Sequence, residues 1–434
     1  MTQPANVPTA GASRRDFLTT SAAAVAGAAL VTLPGAVANA HAAGSDVLKI
    51  GLIGCGDRGT GAATQALNAD PNTKLVAMGD LFKDHLDAKF KVLKDDEKVG
   101  ARVEVKPENR FVGWDAYLKV LAAGVDVVIL TTPPHFRPLH HKAAVDAGKH
   151  VFCEKPVAVD APGVRAVMEA CREAKAKNLS IVSGLCYRYE RSKRETMARV
   201  HDGAIGDIVA LQTNYNTHGL WSFKRQPDWS DMEWQLRNWL YFTWLSGDHN
   251  VEQHIHSLDK MAWAMKDEPP VRAFGLGGRQ TRTSEQYGNI FDHHAVQYEY
   301  KNGVKLFAYC RQQDGTANNV NDYILGTDGV CDVMKHTITG KNSWKATKDK
   351  NDDMYQNEHD ELFASIRSGK PINNGDYMTK STLMAIMGRM ATYTGQVITW
   401  EMAMRSKEDL TPAKYEFGPL ATAPVPMPGV TKFS

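Results

Sequence analysis

The sequence predicts an α/β protein with two domains. Its 434 residues are more than one ordinary hydrophobic core holds. In the first half, short apolar segments alternate with helical stretches, which is typical of parallel strands joined by crossover helices. The first apolar segment, Leu48–Ile53, runs directly into a glycine-rich turn. We therefore expect a parallel sheet with helices on its faces, followed by a second domain.

The glycine turn has the spacing G-x-G-x-x-G at Gly54, Gly56 and Gly59. Gly54 permits the tight turn, Gly56 lets the backbone approach a pyrophosphate, and Gly59 allows close packing of helix on strand. The following helix offers amide donors and its positive dipole end to phosphates, with Arg58 beside them. The turn predicts a dinucleotide-binding (Rossmann) domain. A glycine turn in an α/β fold that binds no phosphate is the alternative.

An acidic residue, Asp80, ends the second predicted strand (Lys74–Met78 and the two residues after it). A carboxylate at this position accepts hydrogen bonds from the hydroxyls of an adenosine ribose and repels a 2′-phosphate. Asp80 therefore favours NAD over NADP as the cofactor. Lys83, three residues on, keeps NADP open as an alternative.

Two further strands end in polar residues that we expect at the cofactor. Thr132, Pro133 and His135 follow the apolar run Val125–Leu130, and Glu154-Lys155 follow Lys149–Cys153. Ligands of such sheets bind beyond the carboxyl ends of the strands. A lysine there can hydrogen-bond a substrate hydroxyl and take part in proton transfer. We assign Lys155 a catalytic role as well as cofactor contact, the alternative being a solvated surface lysine.

Composition and charge exclude some functions. The chain is 43% hydrophobic and 23% charged, with a net charge of +2 and no concentrated basic patch, so we expect no nucleic-acid partner. Six cysteines show no CxxC pair and read as small buried hydrophobes: Cys55, Cys153, Cys171, Cys186, Cys310 and Cys331.

Residues 1–42 have the features of a twin-arginine export signal. Arg14-Arg15 precede a mild apolar run, Ala22–Val37, and a small-residue cleavage site follows within residues 38–42. We expect a periplasmic or otherwise exported protein with no stable membrane anchor after signal removal. A membrane anchor is the alternative, disfavoured by the short run and its glycine and proline content. Because this route carries folded proteins, the cofactor would be loaded before export and retained.

Three sequence segments together resemble the Gfo/Idh/MocA oxidoreductase superfamily. They are Gly54–Gly59 (GCGDRG), Ala147–Pro156 (AGKHVFCEKP) and Gly388–Gly395 (GRMATYTG). The resemblance spans about Asp46 to Glu401. It implies a Rossmann domain followed by an α/β domain with a large open antiparallel sheet, one face of which covers the active site. The other face often makes subunit contacts, which implies a homo-oligomer, either a dimer or a tetramer.

The predicted division of the chain follows from this resemblance. We expect the NAD-binding Rossmann domain at 46–186, the substrate and oligomerisation domain at 187–401, and a C-terminal tail at 402–434. Within 187–401, Ile208–Thr217, Val271–Arg279, His293–Tyr300 and Val304–Arg311 have strand composition. Asn302-Gly303 between the last two predicts a hairpin.

The segment Gly247–Asp259 contains the densest cluster of polar chemistry. On one continuous helix, Glu252 and His256 would lie one turn apart on the same face. A histidine there can remove a hydroxyl proton as hydride leaves, while the carboxylate orients the ring or binds a neighbouring hydroxyl. The resemblance adds an Asp-x-x-x-His pattern, in which His256 takes the histidine position and Glu252 that of the aspartate. This chain has glutamate where the family pattern has aspartate, which puts in doubt the substrate that the resemblance would imply.

Two other readings of this cluster stay open. His249, Glu252, His254 and His256 are common metal ligands, although HExxH is absent and His254 and His256 point to different helix faces, so we predict no metal. Alternatively, His249 and His254 individually satisfy buried groups.

Substrate contacts are predicted at Tyr187, Arg188, Trp239 and His254. Tyr187 and Arg188 follow a strand end, and Trp239 lies in a stretch, 215–244, that is rich in aromatic and polar residues. Aromatic faces beside fixed donors suit a saccharide, whereas ordinary packing is the alternative for most of these rings.

These observations predict an NAD-dependent oxidoreductase acting on a secondary alcohol of a sugar, glycoside or cyclitol. A second possibility is glycoside cleavage with NAD recycled through transient oxidation, elimination, water addition and re-reduction. Some members of the superfamily, including NAD-dependent N-acetylgalactosaminidases, do this with a Tyr/His arrangement not evident in 252–256. A non-catalytic binding protein on an inactive Rossmann scaffold is the third.

Overall fold

A computed structural model describes residues 46–347 and 349–434. The chain forms two sheets, and the first is a six-stranded parallel sheet in the order β3-β2-β1-β4-β5-β6. Its strands are β1 (Leu48–Ile53), β2 (Thr73–Asp80), β3 (Arg110–Val112), β4 (Val127–Leu130), β5 (His150–Cys153) and β6 (Ile181–Ser183). The central strands β4 and β5 are buried along their whole length and apolar except for His150, as parallel strands between helical layers must be. The predicted Rossmann sheet is confirmed.

Helices cover both sheets and connect their strands. They are Asp57–Ala69, Lys83–Lys94, Ala116–Ala122, Arg137–Asp146, Ala161–Ala176, Arg191–His201, Asp231–Arg237, Thr243–Ser246, His249–Glu252, Ile255–Ala264, Met354–Ser368, Gly375–Thr394 and Trp400–Arg405.

The second sheet has nine strands in the order β14-β13-β12-β11-β7-β10-β9-β8-β15. They are β7 (Ile208–Thr217), β8 (Arg272–Gly278), β9 (His293–Glu299), β10 (Lys305–Gln312), β11 (Asn319–Gly326), β12 (Gly329–Asp332), β13 (Thr337–Gly340), β14 (Trp344–Lys345) and β15 (Ile398–Thr399). The hairpin at Asn302-Gly303 is confirmed by the antiparallel pairing of β9 with β10. The sheet is mostly antiparallel, with one parallel pair formed by β7 and β10. These two strands are not consecutive, since β8 and β9 lie between them in the chain.

Alternation along the second sheet buries one face and exposes the other. In β9, every second side chain, such as Val296 and Tyr298, is buried in the core. The opposite face exposes large apolar side chains, among them Phe274, Leu276 and Tyr309. One side of this sheet is therefore occupied by the molecule's own core, and the other is uncovered within the described chain.

One helix from the second half belongs spatially to the first sheet. Leu362, Phe363 and Ile366 of helix Met354–Ser368 are buried in the same hydrophobic cluster as β1. Asp353 caps the start of this helix by accepting from the amides of Tyr355 and Gln356, and Gly369 ends it at a φ of 63°. The chain thus returns to the dinucleotide domain after completing most of the second sheet.

The predicted continuous helix through Glu252 and His256 is wrong. One helix ends at Glu252, and the next begins at Ile255. The i→i−4 hydrogen bonds are interrupted, since the amide of His254 donates to the carbonyl of His249 and the amide of His256 to that of Gln253. Helical periodicity therefore does not set the relative position of Glu252 and His256.

Two other sequence expectations concern the cysteines and the N-terminus. The six cysteines are buried free thiols, as predicted. The predicted export signal lies outside the described residues. Within the described residues, none of the helices is long and apolar enough to cross a membrane.

Buried histidines make the fold acid-sensitive. Burial lowers the pKa of His140 to about 3, of His141 to about 4 and of His254 to about 3, whereas each titrates near 6.5 when unfolded. Between these values the unfolded chain binds more protons than the folded one, so stability falls as pH decreases below about 6.5. We expect each histidine to contribute a loss of up to ~1.4 kcal/mol per pH unit. Denaturant unfolding at pH 7.5 and 5 measures this, and equal stability at both would contradict it.

Candidate active site

The glycine loop after β1 is shaped by three different constraints. Gly54 has a φ of +98°, and a Cβ there would lie 2.6 Å from the amide nitrogen of Thr132. A Cβ on Gly59 would lie 2.1 Å from the carbonyl oxygen of Gly54. A Cβ on Gly56, by contrast, meets no described heavy atom within 4 Å. Gly54 and Gly59 are thus required by the protein itself, whereas the space beside Gly56 is available to a ligand.

That space belongs to a cavity of about 170 Å³ at the carboxyl ends of the strands. Gly54, Gly56 and Asp80 line it, together with Thr132 and Pro133, as predicted for cofactor contacts. Its remaining walls are largely apolar and aromatic: Leu81, Phe82, Trp114, Tyr117, Phe136, Leu236 and Trp239. A glycine cradle, an acidic residue and apolar walls fit the phosphates, ribose and adenine of a dinucleotide.

The Asp80 carboxylate is fixed at the end of β2 by backbone donors. Its Oδ2 accepts from the amide of Cys55 at 2.6 Å and its Oδ1 from the amide of Phe82 at 2.8 Å. Burial raises the pKa of Asp80, and these backbone hydrogen bonds oppose the rise. The side chain is therefore held rigidly between the glycine loop and the start of the next helix, where a ribose would lie.

A second cavity of about 320 Å³ adjoins the first. It is lined by Arg58, Thr131, Arg137, Glu154, Lys155, Gly184, Tyr187, Tyr215, Trp239, Glu252, Gln253, His256 and Tyr355. All three residues predicted to be catalytic, Lys155, Glu252 and His256, are in this set. Thr131 and Trp239 line both cavities, so the two spaces meet beside these side chains.

Lys155 and Glu252 form a largely buried ion pair. The Lys155 Nζ donates to Glu252 Oε1 at 2.7 Å and to the Glu252 carbonyl oxygen at 2.6 Å. The other carboxylate oxygen of Glu252 accepts from the side-chain amide of Gln253 at 2.6 Å. Because an ammonium has three N–H donors, one remains for a ligand.

His256 faces this ion pair as a neutral imidazole. Burial lowers its pKa well below the usual value, and the nearby cations Lys155, Lys260 and Arg58 lower it further. The ring of Tyr187 packs edge-on against it at 5.5 Å. Its Nδ1 has no hydrogen-bond partner in the described chain. The site therefore holds a cation, a carboxylate and an unprotonated imidazole in one space.

Arg58, predicted at the phosphates, lies instead in the second cavity. Its guanidinium forms ion pairs with Glu154 and, at 2.8 Å, with Glu358, and packs over the ring of Tyr355. Two buried carboxylates hold it away from the glycine cradle, and they raise its pKa against the effect of burial. Glu154, predicted as a cofactor contact, is consequently the partner of Arg58.

Three other predicted side chains line neither cavity. Arg188 is held by Asp259 at 2.9 Å and Asp267 at 2.6 Å, so its charge is already compensated inside the protein. His254 is completely buried, with its Nδ1 3.0 Å from Asn250 Oδ1. His135 lies behind the dinucleotide cavity, 2.7 Å from the hydroxyl of Tyr415. The structure therefore places Arg188 and His254 outside both cavities, and their predicted substrate contacts stay predictions.

Some cavity residues were not singled out from the sequence. Arg137 comes two positions after His135 at a strand's carboxyl end, which was an available signal, and its guanidinium donates to the Pro156 carbonyl. Tyr215 was within the aromatic stretch, and its hydroxyl donates to Gln253 at 3.2 Å. Tyr355 comes from the distant helix Met354–Ser368 and had no signal. Across 46–347 and 349–434, no group of three or more His, Cys, Asp or Glu could hold a metal.

Comparison with known proteins follows the same division of the chain. The family model described as "Oxidoreductase family, NAD-binding Rossmann fold" matches residues 48–182. A glycosyl hydrolase family 109 protein of Shewanella amazonensis is 29% identical over 232 residues, 50% of this chain and 48% of that protein. Inositol 2-dehydrogenase of Klebsiella pneumoniae is 26% identical over 297 residues, 67% of this chain and 72% of the enzyme. The chain spans about half the length of the first curated relatives it matches.

The fold is also found in solved structures. Myo-inositol 2-dehydrogenase of Lactobacillus plantarum superposes with a TM-score of 0.63 at 20% identity, covering 82% of this chain and 99% of that one. At this identity the likeness concerns the arrangement of the two sheets.

Adding a methyl group at Gly56 separates ligand binding from folding. Because a Cβ at Gly56 meets no described protein atom, Gly56→Ala should fold with unchanged thermal stability. The methyl would occupy the approach of the pyrophosphate, and we expect NAD affinity to fall by about tenfold or more, ~1.4 kcal/mol. Gly61→Ala, in the following helix, is the matched control and should bind normally. Calorimetric titration with NAD measures both, and equal affinities in the two variants would contradict this assignment of Gly56.

Proposed function

We propose that this chain is a Gfo/Idh/MocA-type, NAD-dependent oxidoreductase of a secondary alcohol in a sugar, glycoside or cyclitol. The match of residues 48–182 to the family model of NAD-binding oxidoreductases supports the proposal. One observation carries the proposal. Lys155, Glu252 and His256 share a polar cavity that meets the dinucleotide cavity at Thr131 and Trp239. An alcohol bound there would lie next to the end of the dinucleotide.

NAD is the cofactor that these residues fit best. Asp80 offers a carboxylate where a ribose 2′-phosphate would have to lie, which disfavours NADP. Lys83, the residue that could have balanced such a phosphate, forms an exposed ion pair with Asp87. When bound, NAD supplies the acceptor for a hydride from the substrate's carbinol carbon. The chain's own task is to bind the alcohol and handle its proton.

We assign proton transfer to His256 and orientation of the hydroxyl to Lys155. The remaining N–H of Lys155 donates to the carbinol oxygen, while the neutral His256 ring accepts the hydroxyl proton. As hydride leaves the carbon, the O–H electrons form the carbonyl, so one proton stays on His256. Glu252 positions Lys155 and compensates its charge, which keeps the cation in place in a largely water-excluded site.

The walls of the second cavity favour a polyol. Gln253, Arg137 and the hydroxyls of Tyr187 and Tyr215 provide several polar groups, and the ring of Trp239 provides an apolar face. Carbohydrates present the same mixture, with hydroxyls at the edge and C–H groups on the ring face. Similarity to inositol 2-dehydrogenases supports this substrate class.

NAD-dependent glycoside hydrolysis is the second candidate, and one contact favours it. Tyr187 lies edge-on against His256 at 5.5 Å in the cavity, a Tyr/His pair drawn from two separate chain segments. Transient oxidation would acidify the neighbouring C–H and permit elimination of the aglycone, with water added before re-reduction. Similarity to a glycosyl hydrolase family 109 protein supports this candidate.

Assembly and export complete the proposal. The exposed apolar side chains Phe274, Leu276 and Tyr309 on the open face of the second sheet support a homo-oligomer, a dimer or tetramer. Light scattering of the purified protein gives its mass in solution.

Arg14-Arg15 and the small-residue run after them support twin-arginine export. Cell fractionation of a variant with both arginines replaced by lysine tests it.

Replacing Lys155 or His256 should lower turnover strongly while leaving NAD binding nearly unchanged. For Lys155→Ala and His256→Ala we expect turnover to fall by about 10²–10⁴-fold, the usual contribution of a positioned acid or base. NAD affinity should change little, because both side chains line the second cavity only. Lys175→Ala, at an exposed position of helix Ala161–Ala176, is the control. Near wild-type turnover in either active-site variant would remove that residue from the mechanism.

A panel of glycosides and cyclitols separates the two candidate activities. Net formation of NADH supports the dehydrogenase, and aglycone release without net NADH supports the hydrolase. Nucleotide absorbance in the supernatant of the denatured protein first establishes whether a dinucleotide is bound. Absence of both bound and bindable NAD would overturn both candidates.

A further inference from the structure

The segment after the last helix returns to the dinucleotide cavity. Tyr415 and Phe417 pack against rings that form the wall of that cavity. The ring centroid of Trp114 lies 5.7 Å from that of Tyr415 and 5.6 Å from that of Phe417. Phe82 lies 5.9 Å from Phe417, and Phe136 lies 6.0 Å from Tyr415. The tail thus covers the aromatic wall beside Asp80 from outside.

The same segment is hydrogen-bonded to a second element that lines the cavity. The helix Asp231–Arg237 supplies Leu236 to the cavity, and three hydrogen bonds attach this helix to residues 418–420 of the tail. Gln235 Nε2 donates to the Leu420 carbonyl at 2.8 Å, the Leu420 amide to Asp231 Oδ2 at 3.0 Å, and the Met232 amide to the Gly418 carbonyl at 3.1 Å. Residues 415–420, which we call the strap, therefore join two elements of the cavity wall.

An ion pair joins the helix Asp231–Arg237 directly to the segment that contains Phe82. The Arg237 guanidinium donates to both carboxylate oxygens of Asp84, at 2.9 and 3.2 Å, and packs 4.0 Å above the ring of Phe82. Asp84 lies in the first turn of the helix that follows Asp80. Separation of these elements requires Arg237 to leave Asp84 and the strap to leave the aromatic rings.

We propose that the strap is part of the dinucleotide site and slows release of its adenosine end, so that one NAD molecule stays bound through many catalytic cycles. This inference rests on the proposed use of NAD. Phe417 carries much of the argument, since a large ring that is 48% exposed is kept on the two rings lining the cavity.

The remainder of the tail is attached elsewhere and provides a control. The amide of Gly429 donates to the Thr394 carbonyl at the end of helix Gly375–Thr394, and Ser406 Oγ donates to the Ser434 carbonyl. Met427 in this part is a large apolar side chain that is 61% exposed, against 48% for Phe417. A loss of apolar surface at Met427 therefore alters the tail without altering the strap.

The test measures how fast bound NADH leaves the purified full-length protein. NADH-loaded protein is mixed with a large excess of NAD, and the decay of NADH fluorescence gives the release rate. For Phe417→Ala and for Tyr415→Ala/Phe417→Ala we expect release to be faster by about tenfold or more, since a lost aromatic contact of about 1.4 kcal/mol corresponds to a factor of ten. Met427→Ala should release NADH at the wild-type rate.

Two controls separate a lost strap contact from misfolding. Far-UV circular dichroism establishes that each variant is folded, and Phe417→Leu, which keeps an apolar side chain at a half-exposed position, replaces any alanine variant that is not. Wild-type release rates in a folded Phe417 variant would overturn the strap while leaving the proposed function intact. A wild-type protein that binds neither NAD nor NADH would overturn both.

Discussion

The ion pair between Lys155 and Glu252 is the contact on which the proposed site depends. Lys155 follows the end of β5 in the parallel sheet, and Glu252 comes from the segment that packs on the second sheet. Both side chains are largely buried, and desolvation makes such pairs poor sources of stability. The value of this pair lies in geometry, because a charge fixed from two separate chain segments holds a hydrogen-bond donor in the second cavity.

A second cation of this cavity is compensated in the same way. Arg58 lies between Glu154 and Glu358. Arg137 differs, because its guanidinium donates to the Pro156 carbonyl instead of pairing with a carboxylate. Burial lowers the pKa of His256, and the nearby cations Lys155, Lys260 and Arg58 lower it further, so its ring is unprotonated.

Local features of the sequence predicted local parts of the structure. The glycine spacing, Asp80 and the strand-end position of Lys155 were accessible because each depends on a few neighbouring residues. The placement of Arg58 was not, because its partner Glu358 is 300 residues away and arrives on a helix that returns to the first sheet. The ion pairs of Arg188 were inaccessible for the same reason, since Asp259 and Asp267 become its neighbours only after folding. The helix break between Glu252 and Ile255 is likewise a tertiary effect, because no glycine or proline in this segment predicts it.

Dehydrogenase and hydrolase chemistry share one step, the transfer of hydride from a ring carbon of the substrate to bound NAD. Direct detection of this transfer is the most stringent test of the proposed site. The purified protein would be incubated with NAD and with inositols and glycosides deuterated at their ring carbons, and the nicotinamide analysed by mass spectrometry. We predict deuterium in the nicotinamide for at least one substrate, and its loss in Lys155→Ala with NAD still bound. Bound NAD that acquires no deuterium from any polyol or glycoside would contradict the assignment of this cavity as a hydride-transfer site.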